Sequence, residues 1–257
     1  MTAPKIFDPE YYAHMRALEE RSWWNAGMRD LASRLLEDAG LPPRGTLLDV
    51  GCGSGQTMAW FRTRWTAWDT VGLDLALDGL RPARAESRER VVAATALQLP
   101  CAPGSVDAVI TLDVLQHLPL GGGDATALSE MRRVLKPGGV LFVRTNAQAF
   151  PHAAADPGYN FHRYTTRELH AKLETAGFAV RRIGRVNALL GLAEIPRELR
   201  ARRSAVGGYV GHLATLPRVG AAWRAKLAWL RVEGRAVAAG ASLPFGRTLV
   251  ALARAGG

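Results

Sequence analysis

The stretch LLDVGCGSGQ, residues 47–56, decides how the rest of the chain can fold. An apolar run is followed there by Gly51, Gly53 and Gly55, and then by a predicted helix. A glycine-rich turn between a strand and a helix lets the backbone approach a bound nucleotide closely. We therefore interpret residues 46–50 as a central strand of a nucleotide-binding sheet.

Apolar runs and helical patterns alternate along the rest of the chain. The predicted strands are residues 46–50, 70–75, 90–94, 106–112, 140–146, 178–187 and 248–253. The predicted helices begin at Asp8, cover residues 28–39, follow the glycine turn to Arg64, and cover 77–88, 124–135 and 165–177. The last of them starts with a capping box of Thr165 and Glu168. This alternation predicts an α/β fold, a parallel sheet with helices on both faces.

Composition narrows the class of protein. The chain has 257 residues, of which 48% are hydrophobic, and no run of about 18 uncharged apolar residues is present. We expect no transmembrane helix and no secretory signal, because the first twenty residues contain acids and lack an apolar core. The two cysteines, Cys52 and Cys101, form no disulfide framework. These features predict a cytoplasmic protein.

Residues 190–242 form a long segment between the last two predicted strands. Apolar residues recur in it at helical spacing, at Leu192, Ile195, Leu199, Val206, Val210, Leu213, Val219, Trp223, Leu227, Leu230 and Val237. This pattern predicts amphipathic helices. We divide the chain into N-terminal cap helices (1–44), a core (45–189 with 243–257) and a helical lid (190–242).

Positive charge is concentrated around this segment. The net charge is +10, and residues 181–235 hold eleven Arg and one Lys against three Glu, a local balance of +9. Arginines above a ligand crevice would favour an anionic acceptor. The same arginines could contact RNA or a membrane surface, or lie solvated on exposed helices. We predict no nucleic-acid partner, because no lysine-rich or glycine-aromatic motif accompanies them, and leave peripheral membrane contact open.

Four motifs occur in the order and spacing of one family. They are LLDVGCGSG (47–55), VGLDLA (71–76), LQLPCAPGSVDAVITLDVLQHL (97–118) and LKPGGVLFV (135–143), about 100 residues together. Through them the chain resembles the class I S-adenosylmethionine-dependent methyltransferases. The resemblance implies a Rossmann-like, doubly wound, seven-stranded sheet whose last strand is antiparallel. It also implies S-adenosylmethionine as the cofactor.

The charge at the glycine turn agrees with this cofactor. Asp49 would repel a pyrophosphate but would favour an ammonium or sulfonium group. The resemblance implies that Asp74 accepts hydrogen bonds from both ribose hydroxyls. The other predicted cofactor contacts are Arg29, Gly51, Cys52, Gly53, Gln56, Leu75, Ala96, Leu97 and Leu112. We interpret Cys52 as a small packing residue and not as a nucleophile, and expect Arg29 to pair with the cofactor carboxylate.

One position departs from the family pattern. Relatives often carry an aspartate after the third strand, where it accepts from the adenine amino group. This chain has Thr95 there, between Ala94 and Ala96. We expect adenine to rest on backbone amides near Ala96 and Leu97 and on apolar walls, with weaker cofactor affinity.

The candidate acceptor site follows the fourth and fifth strands. The catalytic candidates are His117, Tyr159 and His162, and the candidate substrate contacts are His152, Arg163 and Tyr164. A base is needed only when the acceptor must lose a proton. His117 is equally compatible with a helix cap or a core position, and we interpret Glu168 as a cap. The N/D-P-P-Y/F signature of base-modifying enzymes is absent after the fourth strand.

The N-terminal run YYAHMRALEERSWWNAGMR and the later HRYTTREL resemble a subgroup of bacterial methyltransferases. Tyr11, Trp23 and Trp24 could roof the site, or could simply pack together. The sequence therefore predicts a small-molecule methyltransferase of bacterial specialised metabolism with an anionic acceptor, such as a carboxylate or a prenyl diphosphate. The alternatives are a membrane-surface methyltransferase for a lipid-linked or glycan acceptor, and a cyclase that binds the cofactor without methyl transfer. We predict a monomer or homodimer and no metal site.

Overall fold

The computed structural model describes residues 16–75, 90–148, 162–189, 192 and 219–256. Seven strands form its sheet: β1 Gly45–Val50, β2 Trp68–Asp74, β3 Arg90–Ala93, β4 Val106–Leu112, β5 Leu135–Asn146, β6 Phe178–Val186 and β7 Thr248–Ala255. Their order is β3-β2-β1-β4-β5-β7-β6. The first five strands are parallel, and β7 is antiparallel to both β5 and β6. The predicted doubly wound sheet with an antiparallel last strand is confirmed.

Five helices accompany these strands in the described ranges: α1 Trp23–Asp38, α2 Gln56–Arg64, α3 Gly123–Val134, α4 Thr166–Thr175 and α5 Ala221–Ala238. Residues 16–21 are also helical. α1 begins five residues before its predicted start, because the Ser22 hydroxyl accepts a hydrogen bond from the Asn25 amide at 3.2 Å. The predicted cap of α4 is present, since Thr165 Oγ1 accepts from the Glu168 amide at 3.0 Å. The predicted helix at 77–88 lies outside the described residues.

Alternate residues of the central strands enter two separate cores. On one face they pack with α3 and α4, and the strand residues there are Leu48, Val50, Val109, Leu141, Val143, Leu249 and Ala251. On the other face they pack with α1 and α5, and the strand residues are Leu47, Ala108, Ile110, Val140, Phe142, Val250 and Leu252. Burial on both faces explains why these strands read as nearly continuous apolar runs.

α5 belongs to the core, which corrects the expectation of a lid for this part of residues 190–242. Its Leu230 is 1% exposed and its Val237 is 3% exposed. Glycines let the helix approach closely: a Cβ on Gly27 of α1 would lie 2.6 Å from Leu230, and one on Gly184 of β6 would lie 2.8 Å from Val237. Residues 193–218 of the same segment lie outside the described residues. Within the described ranges no helix combines the length and apolar character needed to cross a membrane.

Candidate functional site

A cavity of about 660 Å³ opens where β1, β2, β4 and β5 end. Its volume lies within the roughly 300–1,000 Å³ of small-molecule sites. The strand order reverses between β1 and β4, and α/β sheets bind ligands at such a switch point. The residues predicted from the sequence that line it are Trp23, Trp24, Arg29, Gly51, Cys52, Gly53, Gln56, Asp74, Leu75, Ala96, Leu112 and His117.

The glycine turn forms one end of the cavity. Gly51, Gly53 and Gly55 have φ angles of +80°, +49° and +80°, a region that favours glycine. A Cβ on Gly51 would lie 2.1 Å from Val114 Cγ2, so the turn also packs too tightly there for any side chain. The Gly51 amide donates to the Leu73 carbonyl at 2.8 Å, which ties the turn to β2. The turn is therefore fixed before any ligand enters.

Asp74 faces this turn from the end of β2. Its Oδ2 accepts a hydrogen bond from the Gly53 amide at 2.9 Å. Because one carboxylate oxygen is held by the backbone, the side chain stays in place at the cavity wall. The Asp49 carboxyl, by contrast, is 1% exposed and does not line the cavity. Asp49 lies beneath the turn, so the prediction that it contacts a ligand directly is corrected. Its carboxylate could act on a bound ligand only through its charge.

The wall beside Asp74 is apolar. Leu75, which is 68% exposed, lies there with Ala94 and Ala96. The hydroxyl of Thr95 accepts a hydrogen bond from the Leu97 amide at 3.2 Å. That amide is therefore already used within the chain, and Leu97 does not line the cavity. The predicted contact through Leu97 is corrected, whereas the apolar wall is present as expected.

An N-terminal roof covers the cavity. Trp23, Trp24 and Arg29 of α1 line it, as the sequence predicted, and the Trp24 ring lies 4.3 Å from the Arg144 guanidinium carbon. Glu19, which the sequence analysis missed, also lines the cavity and accepts a hydrogen bond from Ser54 Oγ at 3.1 Å. The Glu19 bond links the roof directly to the glycine turn. Tyr11 lies outside the described residues.

Two opposite charges, Glu19 and Arg29, lie half-buried in this roof. Burial raises the pKa of Glu19, while the Ser54 hydrogen bond and the guanidiniums of Arg144 and Arg29 oppose the rise. Burial lowers the pKa of Arg29, and the Glu19 carboxylate is the largest opposing influence. A carboxylate and a guanidinium beside each other suit a ligand group that is itself zwitterionic.

The 3₁₀ turn Leu115–His117 contributes Gln116 and His117 to the lining of the cavity, and we call the part of the lining around it the acceptor end. Burial lowers the pKa of His117, and the Asp113 carboxylate opposes this more weakly. The imidazole is therefore neutral at neutral pH and able to accept a proton. Asp113 has a left-handed backbone with φ +59° and forms an ion pair with Arg144 of β5. The sequence singled out His117 but not Asp113, although aspartate is among the few residues that tolerate this conformation.

Tyr164 is a core residue, which corrects its prediction as a substrate contact. It is 1% exposed, its hydroxyl donates to Asp124 Oδ2 at 2.9 Å, and it lies 3.1 Å from the Leu115 carbonyl. Burial, with the Asp124 carboxylate nearby, raises the pKa of Tyr164 well above its ordinary value. The hydroxyl thus stays protonated and positions the turn that carries His117.

His162 and Arg163 do not line the cavity. The His162 ring lies 2.7 Å from Glu168 Oε1 and packs edge-on against Tyr164 at 4.3 Å between centroids. The predicted catalytic role of His162 is therefore corrected to a structural one. The Glu168 carboxylate contacts the His162 ring and does not face the cavity. The remaining two candidates, His152 and Tyr159, lie outside the described residues.

Three amides at the acceptor end were not predicted as site residues: Gln116, Asn146 and Asn187 all line the cavity. Gln116 Oε1 accepts hydrogen bonds from Thr145 Oγ1 at 3.1 Å and from the Asn146 amide at 3.0 Å, so it fixes the end of β5. Asn187 follows β6 with φ +61°, and its buried Oδ1 has no hydrogen-bond partner among the described residues. A ligand hydroxyl or amine could satisfy that oxygen. The signal in the sequence is a polar residue at the end of a strand.

The chain matches known proteins over its central part. Residues 48–143 match the family model described as a methyltransferase domain. Trans-aconitate 2-methyltransferase of Azoarcus sp. (strain BH72) is 34% identical over 151 residues, which cover 58% of this chain and 54% of that protein. The chain therefore spans about half the length of this curated relative.

Solved structures extend the likeness to the whole fold. The protein in complex with the Trm112 methyltransferase activator of Haloferax volcanii is 18% identical, with a TM-score of 0.63 and 100% coverage of both chains. Geranyl diphosphate C-methyltransferase of Streptomyces coelicolor A3(2), in complex with S-adenosyl-L-homocysteine, is 19% identical with a TM-score of 0.55, and the match covers 87% of this chain and 77% of that one. At these identities the likeness establishes the fold alone.

Proposed function

We propose that this chain, which matches the methyltransferase domain family over residues 48–143, transfers the methyl group of S-adenosylmethionine to a small organic acceptor. One observation carries the proposal. One cavity of about 660 Å³ is lined both by the cofactor end, formed by the glycine turn and Asp74, and by the acceptor end, which includes His117 and Asn187, so two ligands could bind in it side by side.

The residues at the first end fit S-adenosylmethionine chemically. The Asp74 carboxylate is a suitable acceptor for a ribose diol, and the Leu75 and Ala96 wall suits an adenine ring. The paired charges of Glu19 and Arg29 suit an amino-acid group, and Gly51 leaves room for close backbone approach. When bound, the cofactor supplies an electrophilic methyl group on a sulfonium.

The chain itself contributes positioning, exclusion of water and one base. Trp23 and Trp24 roof the cavity, and the Asn146 and Asn187 amides line the acceptor end, where they would orient the acceptor. Such positioning supplies on the order of 7–11 kcal/mol of a methyl-transfer barrier. We propose that neutral His117 accepts the proton of an acceptor hydroxyl or amine at its unprotonated ring nitrogen.

For the acceptor we propose an anionic small molecule. Fewer arginines support this proposal than the sequence suggested. The described arginines of α5 do not line the cavity, and Arg144, which does, is already paired with Asp113. Because Arg29 is assigned to the cofactor, Arg144, which is shared with Asp113, is the cation of the described lining that an acceptor carboxylate or phosphate could reach. The relative named for trans-aconitate agrees with this class of acceptor.

A screen with methyl-labelled cofactor tests the proposal. The panel holds phenols, amino sugars, carboxylates, prenyl diphosphates and lipid-linked glycans, and the product is examined by mass spectrometry. Label transfer with the mass gain of one methyl group is the expected result. A rearranged product of unchanged mass would favour the cyclase alternative, and intact cofactor binding with no transfer to any acceptor would contradict methyl transfer.

The proposal also includes a cytoplasmic location and a place in bacterial specialised metabolism. Cys52 and Cys101 are both free thiols, which is typical of a reducing compartment. The metabolic setting rests on the sequence resemblance alone. A fractionation experiment with the native host, probed by an antibody against the protein, tests the location directly.

A further inference from the structure

Four large apolar side chains are exposed on the outer side of α5 and on the short segment that follows β6. Leu189, Leu192, Trp229 and Val232 are 49%, 46%, 42% and 52% exposed. We call these four residues the α5 patch. None of them is needed for the two cores, because α5 buries its opposite side through Leu230 and Val237.

A buried carboxylate holds this patch together. Glu233 is 6% exposed and accepts hydrogen bonds from the amides of Ala188 and Leu189 at 3.0 and 3.1 Å. It also accepts from Trp229 Nε1 at 2.7 Å. Three donors on one carboxylate fix the Leu189 turn against the Trp229 ring, so the apolar surface is preformed.

The exposed charges on α5 itself have one sign. The described helix α5 carries four exposed cations, Arg224, Lys226, Arg231 and Arg235, and its one acid is the buried Glu233. Arg231 pairs with Asp30 of α1 at 2.6 Å. Within the described ranges of the chain, neither Arg224 nor Arg235 forms an ion pair. An apolar face with an indole, on a helix whose own exposed charges are all cationic, is the composition of helices that lie in a membrane interface.

We propose that the α5 patch binds the surface of an anionic phospholipid bilayer. The apolar side chains would enter the acyl boundary, and each cation near the surface would be attracted to the anionic headgroups. The patch also lies beside the cavity. Asn187, which lines the cavity, directly precedes the Ala188–Leu189 turn, and Lys226 lies 5.6 Å above the ring of Trp23 in the roof. Docking would therefore bring the cavity mouth to the bilayer.

Vesicle co-sedimentation tests this with the full-length protein. Phosphatidylcholine vesicles are compared with vesicles that also contain phosphatidylglycerol, at low and high salt. Binding should require the anionic lipid and should weaken with salt. Val232→Glu, at a position whose side chain makes no recorded polar contact, should reduce binding by about tenfold or more. Leu120→Glu is the matched control, since Leu120 is 60% exposed on the loop before α3, outside the patch.

A charge reversal separates the electrostatic part. Arg224→Glu should weaken binding to the anionic vesicles and make that binding less dependent on salt. Arg167→Glu, at an exposed position of α4, should leave the binding and its salt dependence unchanged. Equal sedimentation of wild type and Val232→Glu would overturn the proposal. So would a concentration-dependent dimer, detected by light scattering and broken by Val232→Glu, because the patch would then bind a second copy. The readout needs no methyl transfer, so its failure is distinct from failure of the proposed function.

Discussion

The two ends of the cavity are built in different ways. The cofactor end is made from short stretches of sequence, since residues 51–55 form the turn and Asp74 bonds directly to Gly53. The acceptor end is assembled from separate elements. There the His117 turn is held by Tyr164, which follows it by 47 positions and also contacts Asp124.

This difference explains which part of the site can be predicted from the sequence. A local motif carries its own geometry, so the cofactor end can be predicted from its residues. The acceptor end depends on hydrogen bonds between distant segments, so the residues that shape it need not contact a ligand. The two ends should therefore respond differently to substitution: one through affinity for the cofactor, the other through turnover and stability.

The largest effect is expected for Asp74→Ala. Loss of a carboxylate that accepts two ligand hydroxyls, each bond contributing about 1.5–3 kcal/mol, should weaken S-adenosylhomocysteine binding about a thousandfold. Isothermal titration calorimetry measures this. Asp69→Ala, an exposed aspartate on the same strand, is the control and should bind as wild type. Equal affinities for Asp74→Ala and wild type would refute the ribose assignment.

His117→Gln should lower turnover about a hundredfold while leaving cofactor affinity unchanged, since general bases contribute about 10²–10⁴. Because burial lowers the pKa of His117, wild-type kcat should rise with pH through a midpoint below the ordinary value of about 6.5 and then stay level. The variant should lose this rise. His170→Gln, on the outer side of α4, should keep it, and a rise retained in His117→Gln would assign the titration to another group.

Tyr164→Phe should act through stability and not through cofactor affinity. Removing the donor to buried Asp124 should lower the free energy of unfolding by about 1–3 kcal/mol, measured by urea denaturation. Burial alone would raise the pKa of Asp124, but the hydrogen bonds from Lys172 and Tyr164 hold that pKa below its usual value. Their stabilisation is therefore present above the unfolded pKa of about 3.9 and is lost as pH falls through the folded value, so the difference between variant and wild type should narrow in acid.

Lys172→Met is the companion variant for that experiment. It removes the partly exposed donor to the same carboxylate and should cost less than Tyr164→Phe, because solvent can replace it. If Tyr164→Phe unfolds at the same urea concentration as wild type, the Tyr164–Asp124 bond does not hold the acceptor end together.

The smallest effect is expected for Thr95→Asp. A carboxylate beside Ala94 and Ala96 could accept both the Leu97 amide and the adenine amino group, which should tighten S-adenosylhomocysteine binding by roughly two- to tenfold. Thr95→Val, which removes the hydroxyl without adding charge, should not tighten it. Weaker binding of Thr95→Asp than of Thr95→Val would place adenine elsewhere.

Local patterns were sufficient for most of the fold. Residues 106–112 form β4 as predicted, because a strand buried on both faces carries its own apolar signal. β5 begins at Leu135 and not at residue 140, since Leu135 pairs with Val106 across a register shift that the KPGG stretch conceals. α5 was predicted as a helix, but its place in the core depends on Gly27 and Gly184, which are distant in sequence.

The residues of the site also differ in whether a local pattern identifies them. Gly51 and Asp74, which line the cavity, could be selected from the sequence because their motif is contiguous with the strands that hold them. Tyr164 and His162 were misassigned because an aromatic side chain near the carboxyl edge suits a core and a ligand site equally well. The deciding partners, Asp124 and Glu168, are identified only by the folded structure. Glu19 was missed because no local pattern marks a carboxylate that will face the glycine turn.

The position of β7 has a consequence for how the chain is made. β7 is the last of the seven strands to be synthesised, yet it lies between β5 and β6 and bonds to both. Until residues 248–255 leave the ribosome, β6 has no neighbour and one edge of β5 stays open. Such edges are sites of aggregation during synthesis. The nascent protein therefore needs either rapid completion or a chaperone that shields these edges until the final strand is inserted between them.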